Sequence, residues 1–116
     1  MTDAELTHAV LEKVIGIREG TQPNEFRVLR DGGIYWAGED FDPLNDDRDV
    51  CAVLDKMVET KDCFLQKCGP EWNCYFTDSK EASGTAGPNV KGQAFDPDRR
   101  RAIVLAALRA KGVEVV

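Results

Sequence analysis

The strongest constraint on the fold is a run near the end of the chain that joins helix start and stop signals to an unbroken apolar stretch. Asp96 is predicted to cap free backbone N–H groups, and Pro97 suits the first helical position. Gly112 suits the left-handed residue just after a helix. Between these signals, residues 102–108 are all apolar, so no wide polar face remains. Such a helix is predicted to be packed on two sides or pressed against a sheet through its alanines.

Two further helices are predicted from capping residues and apolar spacing. The start of the chain has a Thr-x-x-Glu capping box, and apolar residues recur every four positions, which predicts a helix over residues 2–15 that ends at Gly16. A second helix is predicted from Asn45 or Asp46 to near Glu59. Acidic residues in its first turn face the positive end of the helix dipole, and an apolar stripe follows at helical spacing.

A small hairpin is predicted between these two helices. Residues 26–29 and 34–36 are strand-like, and residues 31–33 have the Asp-Gly-Gly chemistry of a hairpin turn. An isolated hairpin is marginally stable in water, so this one is expected to lean on the rest of the chain.

A second group of strands is predicted before the last helix. Residues 63–68 and 72–77 read as antiparallel strands joined by a three-residue turn. This register places Phe64 opposite Phe76 and collects the aromatic residues on one buried face. Residues 78–89 are polar and rich in Gly and Ser, which predicts a mobile loop, and residues 90–95 suit a third strand.

The element order is helix, hairpin, helix, two or three antiparallel strands, helix. Helices packed on a small antiparallel sheet define an α+β layer fold. A chain of 116 residues is predicted to form one domain, residues 1–116, with a core that needs neither disulfides nor metal.

Charge narrows the classes of partner. The net charge is −6, which argues against a general nucleic-acid binder and is compatible with binding a basic protein surface. Six carboxylates fall within eleven residues; they belong to Glu39, Asp40, Asp42, Asp46, Asp47 and Asp49. We treat Asp40, Asp42 and Asp47 as candidate binding residues, against the alternative of a solvated face. No segment approaches a membrane span and the acidic start is not a signal peptide, so a cytoplasmic protein is expected.

Two other clusters are candidate binding residues. Arg99, Arg100 and Arg101 stand at a helix start, where arginines and free N–H groups together suit a phosphate or carboxylate. The alternative is that they pair with Asp96, Asp98 or the acidic run. Tyr35 and Trp36 lie on the predicted hairpin; exposed aromatics often mark interfaces, but Trp36 would equally serve to pin the hairpin to the core.

No catalytic or metal-binding pattern is present. Nucleophilic catalysis needs a base beside the nucleophile, and the only histidine is His8, on the first predicted helix. The spacing of the four cysteines does not suit structural zinc, and core thiols are favoured over a metal site or a disulfide. We therefore predict no enzymatic activity, no metal and no cofactor.

The order of motifs resembles that of the phage ABA-sandwich domain proteins, small proteins of tailed phages and prophages. The resemblance is carried by the end of the first helix at residues 11–17, Phe41 before the capped helix 45–58, the strand segment 72–76 and the alanine-rich helix 102–110. The middle helix of that family usually starts Tyr-Ser-x-Asp; here only the aromatic residue and the acidic cap remain. The resemblance implies a phage or prophage origin and a three-layer α/β/α sandwich. That family has no known biochemical function, so no catalytic residue carries over.

Three functions remain open at this point. The first is a phage accessory protein that acts by non-enzymatic binding to a host or phage protein. The second is a binder of a small anionic ligand, such as a nucleotide signal in anti-defence. The third is a structural homo-oligomer in which the doubly apolar last helix is buried between subunits.

Overall fold

The computed structural model describes residues 2–16, 18–19, 25–27, 34–36, 40–78 and 90–115. The elements in chain order are α1 (Asp3–Val10), a π-helical turn (Leu11–Ile15), β1 (Arg18–Glu19), β2 (Glu25–Arg27), β3 (Ile34–Trp36), α2 (Asp47–Met57), β4 (Lys61–Cys68), β5 (Glu71–Asp78), β6 (Val90–Asp96) and α3 (Arg99–Ala110). The predicted α+β class, with three helices and an antiparallel sheet that includes the third strand, is confirmed.

The main sheet has the antiparallel order β4-β5-β6, and α3 lies against it. Cys74, Phe76 and Ala94 are buried on the face that meets α3, which we call the inner face. Gly92 in β6 allows the close approach, because a Cβ at this position would stand 2.3 Å from the main-chain oxygen of Ala106. The predicted packing of this helix through its alanines is therefore confirmed.

Helix α3 is buried on nearly all sides. Its fully buried side chains are Ala102, Ile103, Val104, Ala106, Ala107 and Leu108. The sheet covers one side, while α1 and α2 pack on others and α2 also reaches β4. The second face of the sheet, the outer face, carries exposed side chains such as Phe64 and Phe95. In the described residues all three helices thus lie on one side of the sheet, where the resemblance implied a sheet between helices.

The register of β4 with β5 differs from the predicted one by one residue. Cys68 pairs with Glu71 and Phe64 pairs with Tyr75, so the turn has two residues and the predicted three-residue turn is wrong. Gly69 takes a positive φ of 64°, which suits the tight turns that match the twist of a hairpin. The shift moves Phe64 to the outer face, where its ring stacks on Tyr75 at 4.8 Å between centroids.

The start of α3 also differs from the prediction. Asp98, not Asp96, is the N-cap, and its carboxylate accepts the N–H of Arg100 at 2.9 Å. Asp96 instead ends β6, paired with Trp72, and accepts the N–H of Asp98 at 2.9 Å. Pro97 therefore lies before the cap, because sheet pairing extends the strand as far as Asp96.

The other predicted helix ends are confirmed. Thr2 and Glu5 form the capping box of α1, and Asp46 caps α2. Gly16 and Gly112 take the left-handed conformation after their helices, with φ of 82° and 81°. What the sequence did not reveal is that the first helix finishes in a π-helical turn.

A second, smaller sheet has the order β1-β2-β3. The predicted hairpin pairing is confirmed, with Arg27 opposite Ile34 and Glu25 opposite Trp36. Strand β1 was not predicted, since two residues are too few to show a period. The predicted turn at 31–33 and residues 79–89 of the predicted loop lie outside the described residues.

Candidate binding cleft

A cleft of about 460 Å³ opens between the end of the first helix and the start of α2. Among the residues that the structure describes, it is lined by Leu11, Ile15, Asp40, Phe41, Arg48, Asp49 and Ala52. This volume lies within the range of small-molecule and side-chain pockets, roughly 300–1,000 Å³. Three segments that are separate in sequence meet here.

The π-helical turn supplies the apolar floor of the cleft. The N–H of Gly16 donates to the main-chain oxygen of Leu11, five residues back, which is the wider spacing of a π-helix. Leu11 is buried in the core, while Ile15 is half-buried and lines the opening. Such single wide turns are frequent at functional sites because they redirect side chains out of the regular helical stripe.

Asp40 and Phe41 form a second wall, held in place by β3. The N–H of Asp40 donates to the main-chain oxygen of Trp36, and the N–H of Trp36 donates to the Asp40 carboxylate, both at 2.8 Å. This reciprocal pair ties Asp40 to the end of β3. Phe41 is buried directly after it, and the Asp40 side chain stays exposed at the rim.

The first turns of α2 form the third wall. The buried carboxylate of Asp49 accepts the N–H of Asp42 at 2.9 Å, and this fixes the segment before the helix. The Asp42 carboxylate in turn accepts the side-chain amide of Asn45 at 2.9 Å. Arg48 is mostly exposed, and its Nε stays 3.9 Å from the Asp49 carboxylate, which is too long for a hydrogen bond. The cleft thus joins an apolar floor to two carboxylates and one loosely held guanidinium.

The three arginines of α3 are engaged elsewhere. Arg99 and Arg100 both bond the Asp47 carboxylate, at 3.0 and 2.8 Å. The hydrogen bond from Arg100 is the main reason that the pKa of Asp47 lies below its usual value. Arg101 bonds Asp3 at 2.6 Å. Of the two alternatives for this cluster, the structure contains internal ion pairs, with Asp47 of the acidic run for Arg99 and Arg100 and with Asp3 for Arg101.

The predicted site residues therefore separate into groups. Asp40 lines the cleft, and Asp42 supports its wall. Asp47 joins Arg99 and Arg100 at the α2–α3 junction, away from the cleft lining. Trp36 is half-buried beside Asp40; Tyr35 is described only through its backbone pairing with Phe26 in the small sheet.

Sequence reasoning missed most of the cleft lining. Residues 48, 49 and 52 share one side of α2 by helical spacing, and this pattern was available as a signal. The sequence pattern predicts only core positions for Leu11, Ile15 and Phe41. No local sequence signal shows where an α-helix changes to a π-helical turn. The cleft depends on how separate segments pack.

The cysteines divide between core and surface. Cys74 is buried and Cys63 half-buried on the inner face, and the two thiols influence each other's titration. Their interaction raises the pKa of Cys74 and lowers that of Cys63. Cys51 and Cys68 are exposed, so the predicted core location is wrong for them. Among the described residues, no three His, Cys, Asp or Glu side chains group as metal ligands.

The chain matches no protein-family model, and no curated protein or solved structure shows significant similarity to it. None of the described helices has the length and hydropathy needed to cross a bilayer. Function therefore has to be inferred from the chemistry of the cleft.

Proposed function

We propose that this protein acts by non-enzymatic binding of a protein partner, which inserts an apolar side chain flanked by lysine or arginine into the cleft. The observation that carries the proposal is the combination of an apolar floor with the carboxylates of Asp40 and Asp49, which outnumber the single guanidinium of Arg48 in the described lining. An apolar group gains free energy by leaving water, and a neighbouring cation is attracted by the carboxylates.

The charge of the whole chain supports the same kind of partner. A net charge of −6 attracts basic surfaces over a distance comparable to the Debye length, and it speeds their association. The resemblance to the phage ABA-sandwich proteins adds a biological setting to the proposal, namely a phage or prophage accessory protein in the cytoplasm of a bacterial host.

A small anionic ligand at the start of α3 is a weaker alternative. A phosphate there would have to displace Asp47 from Arg99 and Arg100. It would also compete with Asp98, which already accepts the N–H of Arg100. No described observation favours the ligand over these internal carboxylates, so the cleft carries the proposal.

The test uses short peptides of defined chemistry. One set carries a central Leu or Phe flanked by lysines, and a matched set carries the same residue flanked by glutamates. The lysine set is expected to shift the amide NMR signals of Ile15, Phe41 and Ala52, and added salt is expected to weaken the effect. Equal binding of both sets, or shifts that avoid these residues, would contradict the proposal.

A pair of variants locates the binding site. Ala52→Trp fills the cleft from an exposed helical position and is expected to abolish the peptide-induced shifts. Ala4→Trp is the matched control, because Ala4 is also an exposed helical alanine but does not line the cleft. If Ala52→Trp binds the peptides as well as Ala4→Trp does, the cleft is not the site.

A further inference from the structure

Among the residues that the structure describes, no strand lies along the outer edge of β4, whereas natural edge strands are usually protected. Among the described residues, β4 pairs with β5 on one side and with no strand on the other. All eight residues of Lys61–Cys68 are exposed or half-exposed. The other edge strand, β6, is covered by α3, and Arg109 bonds the main-chain oxygen of Gln93 at 2.7 Å. An exposed edge of this length is a template for pairing with another strand.

The lysines of β4 do not protect its edge against pairing with another strand. A lysine on an edge strand usually prevents pairing, because its charge would be desolvated beside an incoming strand. Here Nζ of Lys61 bonds the Asp78 carboxylate at 2.9 Å, and Nζ of Lys67 lies 5.5 Å from the centre of the Trp72 ring. Both partners are the residues directly opposite on β5. The two lysine side chains therefore extend towards β5 and do not block the approach of another strand to the outer edge of β4.

The middle of the same strand is apolar on both faces. Phe64 is 43% exposed on the outer face and Leu65 is 38% exposed on the inner face, beyond the cover of the helices. A second strand beside β4 would bury part of both side chains and satisfy the main-chain groups along the edge.

We propose that β4 pairs antiparallel with β4 of a second copy of this chain, which joins two three-stranded sheets into one of six strands. The contact is isologous, with the two-fold axis between the two β4 strands and perpendicular to the joined sheet. Helix α3 is not the interface, since its apolar sides are buried within its own chain. The proposal is also independent of the cleft, whose lining contains no residue of β4.

Charge selects the register. Residues directly opposite must share a face, so the central residue of β4 lies opposite its own counterpart across the axis. The two registers that keep seven pairs place Phe64 or Leu65 at this central position. Centring on Phe64 sets Lys61 against the partner subunit's Lys67 twice, and like charges in opposition are destabilising. Centring on Leu65 opposes no like charges. We therefore place Leu65 against the partner subunit's Leu65.

Sedimentation velocity over a range of concentrations tests the self-association. The wild-type chain is expected to approach twice its mass of 12.9 kDa as the concentration rises. Leu65→Lys places two cations at the axis and is expected to leave only monomer. Phe95→Lys is the matched control: Phe95 is an equally apolar, 54% exposed residue on β6, and its variant is expected to dimerise normally. A monomeric wild type, or a Leu65→Lys dimer as stable as the wild type, overturns the proposal.

A cross-link tests the register and does not depend on a destabilising charge. The variant also carries Cys74→Ala, because Cys74 lies directly opposite residue 65 on β5 of the same chain and would compete for the introduced thiol. Two such Leu65→Cys chains paired as proposed hold the introduced thiols at antiparallel neighbour distance, within the Cα separation that a disulfide spans. Diamide oxidises the two thiols to one disulfide and is itself reduced to the hydrazine. Peptide mapping is expected to find residue 65 bonded to its counterpart in the second chain. A dimer whose disulfides join only other positions would overturn the Leu65 register.

Discussion

The two faces of the β4–β6 sheet are built from the same strands but have opposite roles. The inner face carries Cys74, Phe76 and Ala94, all buried against α3. The outer face carries Phe64 stacked on Tyr75, with Phe95 more than half exposed. Alternate residues of one strand therefore meet either a closely packed helix or solvent.

The difference shows where the stability of the sheet comes from. Burial of apolar area stabilises in proportion to the area removed from water, so inner-face side chains contribute far more than outer-face ones. The outer face and the β4 edge contribute little to folding. For that reason they are available for contacts with other molecules.

The largest expected effect is a difference in the free energy of unfolding between alanine variants of two phenylalanines on neighbouring strands. Phe76→Ala removes a fully buried ring and should destabilise the fold by about 3–5 kcal/mol. Phe64→Ala removes a ring that is 43% exposed and stacked on Tyr75, and should cost about 1 kcal/mol. Urea unfolding followed by circular dichroism measures both. Equal losses would mean that the two faces are not distinct in packing.

A smaller effect tests how closely α3 approaches the inner face. In Gly92→Ala the new Cβ meets main-chain atoms of Ala106 and Ala110 at 2.3 Å, so the helix has to shift, at a cost of about 1–3 kcal/mol. Gln93→Ala, next along β6 and exposed on the outer face, should change stability by only about 0.5 kcal/mol. The same unfolding experiment compares them. A neutral Gly92→Ala would show that α3 does not lie this close to β6.

The smallest effect concerns the solvent side of α3, where Asp47 binds Arg99 and Arg100. Because the folded-state pKa of Asp47 is lowered, its stabilising contribution is present above the unfolded-state pKa and is lost as the pH falls through the folded value. The stability difference between the wild type and Asp47→Asn should therefore shrink between about pH 7 and about pH 3. Urea midpoints at several pH values measure it. A difference that stays constant over this range would contradict the ion-pair assignment.

Much of the fold was predictable because its signals are local. The capping box at Thr2, the Asp46 cap and the left-handed Gly112 each depend on a few neighbouring residues. The cap of α3 was misplaced by two residues, since pairing of Asp96 with Trp72 extends β6 past the first candidate. Long-range pairing overrode a local preference there.

The candidate site was predicted less well. Asp40 was singled out for its charge, and it does line the cleft. Asp47 and the arginines were singled out for the same reason, yet they neutralise one another across the α2–α3 junction. Charge alone does not distinguish a residue that is available to a partner from one that is already paired.

What the sequence alone determined is the three helices, the five longer strands, their order, and the doubly packed character of the last helix, since each follows from periodicity and caps read within one segment. Only the tertiary structure decided the two-residue turn at Gly69 and the resulting exposure of Phe64. It also decided the cleft between the π-helical turn and α2, and the ion pairs of Asp47. The physical reason is that register, cavities and ion pairs depend on the distances between segments, and these are set only when the whole core packs.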